Sequence, residues 1–217
     1  MEVPIRKMYI SDQHFGHAIL NEAMDCRGFA SADEMNEHMI KKWNEKVTDI
    51  DEVYILGDFS VIFAKKTNEI LDRLKGNIYL IKGNHDKFLM DKKVNLKRFG
   101  WIKSYAEIED NKRHVILSHY PVFCYNGQYK RDNSGNPIAY MLYGHVHKTT
   151  DERLVNEFIM RTRKERVRTM QGDEMSIPCN MINCFAMFSD YTPMTLDEWI
   201  EIDRERRKAL CSDIMPQ

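Results

Sequence analysis

The sequence predicts an α/β fold, and three observations carry the prediction. Short apolar runs of strand length recur along the chain, each closes within three residues on a small or turn-forming residue, and segments of helical periodicity lie between them. At roughly 150 residues per domain, the 217 residues suit one domain with an insertion better than two domains.

The five runs cover residues 8–10, 53–56, 78–81, 115–117 and 140–143, rich in Ile, Val, Leu and Tyr, and they end at Ser11, Gly57, Gly83, Ser118 and Gly144. Between the first two, Ser31-Ala32-Asp33-Glu34 forms a capping box, and Met35, Met39, Trp43 and Val47 follow at helical spacing. Residues 66–75 place Ile70, Leu71 and Leu74 on one face and stop at Gly76. Residues 125–137 are dense in turn formers and read as a long loop. Residues 154–168 read as a helix, apolar at Leu154, Val155, Phe158 and Ile159, then basic at Arg161, Arg163, Lys164, Arg166 and Arg168 against Glu165 alone. Thr195-Leu196-Asp197-Glu198 is a second capping box. It opens a charged C-terminal helix with Trp199, Ile202 and Leu210 as its buried points and Arg204, Arg206, Arg207 and Lys208 as a solvated face.

The net charge of −1 gives no broad basic field for nucleic acid, so a nucleic-acid partner is not favoured, although the basic stretch 161–168 leaves a nuclease open. No apolar run reaches the ~18 residues that span a bilayer, and no secretory pattern opens the chain. A cytoplasmic protein without membrane contact is expected, its oligomeric state unspecified. The five cysteines are odd in number and lack a C-x-x-C pair, so they read as reduced, mostly buried thiols. Cys179 and Cys184 have no second ligand pair with which to hold zinc.

Chemistry collects where the strands end. Asp12 and His14 follow the first, Asp58 the second, Asn84, His85 and Asp86 the third, His119 the fourth, and His145 and His147 the fifth. Carboxyl ends of strands form the ligand-binding rim of open α/β sheets, so distant positions can converge there. A spacing of two in extended chain turns Asp12 with His14, and His145 with His147, to a common side. Imidazoles, carboxylates and one amide oxygen suit borderline to hard divalent ions. The seven candidates Asp12, His14, Asp58, Asn84, His119, His145 and His147 are too many for one ion and suit two that share a bridge. With two such ions and a bridging hydroxide, the site would carry a net charge of about +1, suited to a phosphate ester anion. Singly, each residue has an ordinary reading, a hydrogen-bonded histidine or a turn-forming Asp or Asn.

Taken in order, Asp12-Gln13-His14, Gly57-Asp58, Gly83-Asn84-His85-Asp86, His119 and Gly144-His145-Val146-His147 resemble the signature of the calcineurin-like metallophosphoesterases. Ser11 to His17, S-D-Q-H-F-G-H, is similar to a small branch of that superfamily, as are Met181-Ile182-Asn183-Cys184, Asp190-Tyr191-Thr192-Pro193 and Leu196-Asp197-Glu198. The resemblance implies two mixed β-sheets packed face to face and flanked by helices. It implies a single domain over 1–217, with residues 148–180, which match little of the family, as a peripheral helical insertion.

It also implies roles. Asp12, His14 and His147 would hold one ion, Asn84, His119 and His145 the other, and Asp58 would bridge them; Mn²⁺ is the first expectation, with Fe²⁺, Zn²⁺ or Ni²⁺ as alternatives. A metal-bound hydroxide would attack a small phosphomonoester or phosphodiester, nucleotide-like esters included. His85 would protonate the leaving oxygen, Asp86 would orient its turn, and His17 and Arg27 would contact substrate. Asp58 is followed by Phe59-Ser60-Val61, without the second Asp and Arg-Gly of the Ser/Thr protein phosphatases, and no Tyr stands at the purple acid phosphatase spacing. A binding or scaffold member of the same fold would be marked by lost ligands, and the set is complete.

Overall fold

The computed structural model describes residues 4–168, 170 and 172–214, and of 209–214 the backbone alone. All five predicted runs are strands. β1 (Lys7–Ile10), β2 (Glu52–Ile55), β3 (Asn77–Ile81) and β4 (Phe99–Lys103) run parallel, and β11 (Met194–Thr195) pairs antiparallel with β1. The second sheet contains β5 (Tyr105–Asp110), β6 (Arg113–Ser118), β7 (Ala139–Tyr143) and β10 (Met181–Asn183) in the order β10-β7-β6-β5, with only the β5–β6 pair antiparallel. The fold is therefore α/β with two mixed sheets.

The period-two alternation of β1 assigns its side chains to different layers. Tyr9, with Tyr54, Leu56 and Ile81, meets Val115, Leu117, Leu142 and Ile182 of the second sheet. Met8 and Ile10 turn the other way, onto Met35, Met39 and Trp43 of α1 (Ala32–Lys46) and Ile70 and Leu71 of α2 (Ala64–Arg73). Ser31 caps α1 by accepting from Glu34 N at 3.1 Å, while Glu34 accepts from Ala30 N, one residue before the cap. On the outer face of the second sheet, Met141, Tyr143 and Met181 pack with Val155 and Ile159 of α3 (Thr150–Lys164).

The helix expected over 154–168 is displaced. It starts at Thr150, capped by Thr149, and stops at Lys164; Arg166–Arg168 is instead β8, paired antiparallel with β9 (Glu174–Ser176). Cross-strand contacts of Arg168 with Glu174 and Val167 with Met175 outweigh the helical bias of that stretch.

In α4 (Leu196–Ile214), Trp199 is fully buried and donates to Tyr9 O at 2.8 Å, fastening the helix to β1. The solvated face expected there is half wrong. Arg207 reaches Asp203, Asn156 Oδ1 and Met181 O, and Arg206 pairs with Glu152 across the Phe188 ring, so both join α4 to α3. Arg204 and Lys208 do remain outside, on Glu201 and Glu205. The side chains of Leu210 and Cys211 lie outside the described residues. Cys179 and Cys184 are buried, whereas Cys26 and Cys124 are exposed, correcting the expectation of mostly buried thiols. Among the described residues no helix is long and apolar enough to cross a membrane.

Candidate metal centre

Because β1, β2 and β3 are parallel, as are β6 and β7, their carboxyl ends gather at a common rim, stitched where Ser11 N donates to Cys184 O and Ala186 N to Ser11 O. The loops that leave the rim are tied to one another. Asp12 N donates to Gly57 O, His14 N to Asp58 O and Phe15 N to Phe59 O, at 2.9 to 3.0 Å. The cost in backbone conformation is visible. Asp12, His14, Asp58, His145 and His147 all lie in the left-handed region, with φ between 45° and 70°, where non-glycine residues are uncommon. Glycines precede ligands because ligands fill their Cβ space. A Cβ on Gly83 would overlap the Asp58 carboxylate, and one on Gly144 the Asp12 carboxylate.

Two clusters result. Asp12, His14 and His147 form one and Asp58, His119 and His145 the other, with the donor atoms within each cluster no more than 4.8 Å apart. Asp58 Oδ2 lies 3.5 Å from His14 Nε2 and 3.4 Å from His119 Nε2, so one oxygen faces both. Asn84 Oδ1 completes the second cluster, 3.0 Å from His119 Nε2 and 3.0 Å from His145 Nδ1. All seven predicted ligands are thus brought together.

Several imidazoles are pre-oriented. His119 Nδ1 donates to Leu56 O at 2.8 Å, leaving Nε2 to face the cluster. His147 Nδ1 is held at 2.8 Å by Asp25 Oδ1, with Nε2 turned toward Asp12 Oδ1 at 3.4 Å. Asp25 is part of the site and was missed by sequence reasoning. The spacing Asp25-x-Arg27 offers no metal signal, and its histidine partner is remote in the chain.

Electrostatics favour cations. Burial would push the Asp12 carboxyl up, but its hydrogen bond to His147 and the nearby His119 and His14 hold it well below the ordinary carboxylate range. Asp58 is likewise raised by burial but lowered more by His119 and His14. Burial drives His14 down to about 3, leaving a neutral ring with a free lone pair. His147 is drawn down by burial and lifted more by Asp12 and Asp25, to about 9, so a proton stands where the carboxylates converge. Ionised carboxylates, imidazole nitrogens and an amide oxygen converge, with Asp12, His14, Asp58, His119 and His147 buried and His145 and Asn84 on the open side, a donor set that fits two divalent cations.

The remaining expectations divide. His85 and His17 border the first cluster, their rings 5.3 and 5.2 Å from that of His14, and His85 is exposed. Arg27, expected at the substrate, is turned inward. Its side chain is fully buried, donating to Gln13 O, Asp12 O and Asp25 Oδ2, so its donors are engaged by the loop that carries Asp12. Asp86 does more than shape its own turn. Its carboxylate accepts from Gly83 N, Asp58 N and Phe59 N at 2.7 to 3.0 Å, locking two ligand loops together. No cysteine joins a ligand cluster among the described residues.

A sequence model of the calcineurin-like phosphoesterase superfamily domain matches residues 6–160, every strand end of the site included. The chain belongs to that superfamily. An uncharacterized protein of Methanocaldococcus jannaschii is 49% identical over 87 residues, 39% of this chain and 49% of the relative, so the match spans about half the relative's length. The gene 66 protein of a Mycobacterium phage is 30% identical over 163 residues, covering 64% of this chain and 77% of that protein. A crystal structure of a protein of unknown function from Aquifex aeolicus superposes with a TM-score of 0.59 at 22% identity, covering 92% of this chain and 100% of its own. This phosphoesterase-superfamily fold is therefore shared with a solved structure.

Proposed function

We propose that this calcineurin-like phosphoesterase hydrolyses small phosphate esters at a dinuclear centre. The observation that carries the proposal is Asp58 Oδ2, which lies within 3.5 Å of an imidazole from each cluster, as a bridging ligand must. Asp12, His14 and His147 hold one ion, and Asn84, His119 and His145 the other, with manganese the first choice and iron, zinc or nickel compatible with the same donors. Bound there, the ions supply an activated water nucleophile and neutralise charge on the phosphoryl oxygens.

The chain's own residues do the rest. Asp25 and Leu56 O fix the tautomers of His147 and His119, so neither ring must turn when substrate arrives. Asp86 and Arg27 hold the ligand loops against their strained backbone. His85 stands at the exposed edge, its backbone amide pinned to Asp58 Oδ1 at 2.7 Å, and its ring donates a proton to the leaving oxygen. His17, half-buried beside His14 and His85, contacts the ester at the same edge. The complete ligand set favours an enzyme over a scaffold. Protein reconstituted with Mn²⁺ is expected to hydrolyse p-nitrophenyl phosphate or its bis-aryl diester, and Asp58→Asn to lower that rate at least ~100-fold, since a bridging ligand serves both ions of a two-metal site. Full activity in a folded Asp58→Asn protein overturns the proposal.

A further inference from the structure

A cavity of about 560 Å³ shares Asn84 with the metal centre and continues along Lys82, Lys87, Leu89, Met90, Leu96 and Ile102. Its volume falls in the range of small-molecule sites. Two features set its chemistry. Lys82 and Lys87 are exposed, and neither forms an ion pair or side-chain hydrogen bond among the described residues. The one lining carboxylate, Asp86, is 5% exposed and engaged by backbone amides, so it does not neutralise them. Facing this uncompensated charge are apolar side chains left open to solvent, Met90 at 78% and Leu96 at 52%, with Leu89 and Ile102 half-buried beside them.

An inorganic anion has no use for the apolar wall, and a plain aryl ester has none for the lysines. A ligand that satisfies both carries a flat apolar body, to which a polarisable Met and a Leu adapt, and a negative group besides the one reacting at Asn84, for which ammonium groups act as point charges. We propose that the cavity seats the non-reacting part of a nucleotide that bears a second phosphate in addition to the one hydrolysed. The proposal rests on the phosphoesterase reading for the position of the reacting phosphate.

The test separates the two. Isothermal titration in EDTA compares adenosine 3′,5′-bisphosphate, adenosine 5′-monophosphate, adenosine and inorganic phosphate on the full chain, on the Lys82→Ala/Lys87→Ala double variant and on Met90→Glu. In parallel, kcat/KM for the bisphosphate is taken relative to that for the monophosphate with Mn²⁺. The bisphosphate is expected to bind at least tenfold more tightly than the monophosphate, a preference that shrinks to within about twofold in the double variant, and the kinetic ratio should fall in step. Met90→Glu is expected to weaken all three nucleoside ligands, uncharged adenosine included. A preference that survives the double variant, or equal binding of bisphosphate and inorganic phosphate, overturns the proposal. Hydrolysis of activated esters without bisphosphate preference refutes the cavity assignment and leaves the phosphoesterase reading. A lysine-dependent preference in a protein that hydrolyses no ester supports the cavity and refutes that reading.

Discussion

Asp25→Asn tests whether a residue outside the ligand set controls the affinity of the centre. Asp25 Oδ1 lies 2.8 Å from His147 Nδ1, and Oδ2 accepts from Arg27 at 2.8 and 3.0 Å. The first contact keeps the proton on Nδ1 and raises the basicity of Nε2. The second neutralises a guanidinium with no exposed side-chain surface. An amide presents its oxygen to only one of these donors, and its NH₂ group faces the other. Carboxylates that orient a metal-bound histidine are worth ~10–100-fold in affinity, or about 1.4–2.8 kcal/mol at 1.4 per tenfold. Loss of charge opposite a buried guanidinium adds a stability cost of about 3–5 kcal/mol. Two measurements resolve the two costs. Free Mn²⁺ followed by electron paramagnetic resonance during titration should show one ion weakened ~10–100-fold and the other nearly parental. Thermal unfolding in EDTA should report the Arg27 cost, which Arg27→Met reproduces with a smaller effect on ion binding. A folded Asp25→Asn protein that binds both ions with parental affinity refutes the orienting role.

His85→Ala is expected to slow hydrolysis of an alkyl phosphate ~10²–10⁴-fold but that of p-nitrophenyl phosphate far less, because p-nitrophenolate leaves without a proton; equal slowing of both rejects the acid role. Gly144→Ala pushes a Cβ into the Asp12 carboxylate and the Ser11 side chain, so the variant should fail to accumulate as folded protein or should lose an ion by elemental analysis. A folded Gly144→Ala protein with both ions would show that the close approach is not required. Asp51 gives a pH dependence remote from the centre. Burial raises its carboxyl, but Arg6 and the Thr48 amide and hydroxyl outweigh that and bring it from 3.8 to about 2. A pKa lowered by folding contributes stability in full above the unfolded value and loses it as pH falls through 3.8 toward 2. With Arg6 partly exposed, the contribution is discounted to about 1–2 kcal/mol. Urea midpoints measured from pH 6 down to 2 should fall less steeply for Asp51→Asn, and an identical slope counts against the pairing.

What could be read from the sequence followed burial. β1, β2, β3, β6 and β7 have neighbours on both sides, and their apolar runs announce them. The strands that escaped notice lie at edges or are too short to show a period. β5, Tyr-Ala-Glu-Ile-Glu-Asp, is an edge strand with acidic residues at alternate positions, β10 has three residues and β11 two. Stretch 161–168 gave no helix stop because Arg and Lys are good helix formers and no Gly or Pro interrupts them; the pairing with 174–176 decides it. The candidate ligands stood out because Asp and His recur at strand ends; the spacing of two did not act as in extended chain, since the backbone there is left-handed and His145 and His147 join different clusters. The burial of Arg27 was not legible in the sequence, for a physical reason. Arginine suits an exposed phosphate and a buried set of carbonyls equally in its donors, and only burial distinguishes them.

Five of the seven candidate ligands hold left-handed backbone, so part of the conformational strain of the fold lies at the site. Each non-glycine residue held there costs on the order of 1–3 kcal/mol unless the surroundings determine it, and Asp tolerates the region better than His. The ligands do not supply that determination alone. The inter-loop amides from Asp12 to Phe15, the three amides gathered by Asp86 and the two carbonyls gripped by Arg27 hold the loops in place. Donor atoms and restraints are thus largely separate sets. Asp12 and Asp58 are exceptions, since the Asp12 carboxylate also accepts from His145 N at 3.0 Å, joining the last strand end to the first, and Asp58 Oδ1 accepts from His85 N at 2.7 Å. The division leaves restraint of the loops mainly to groups other than the donor side chains. The same division explains why two acidic residues outside the ligand set, Asp25 and Asp86, sit as deeply in the network as the ligands they support.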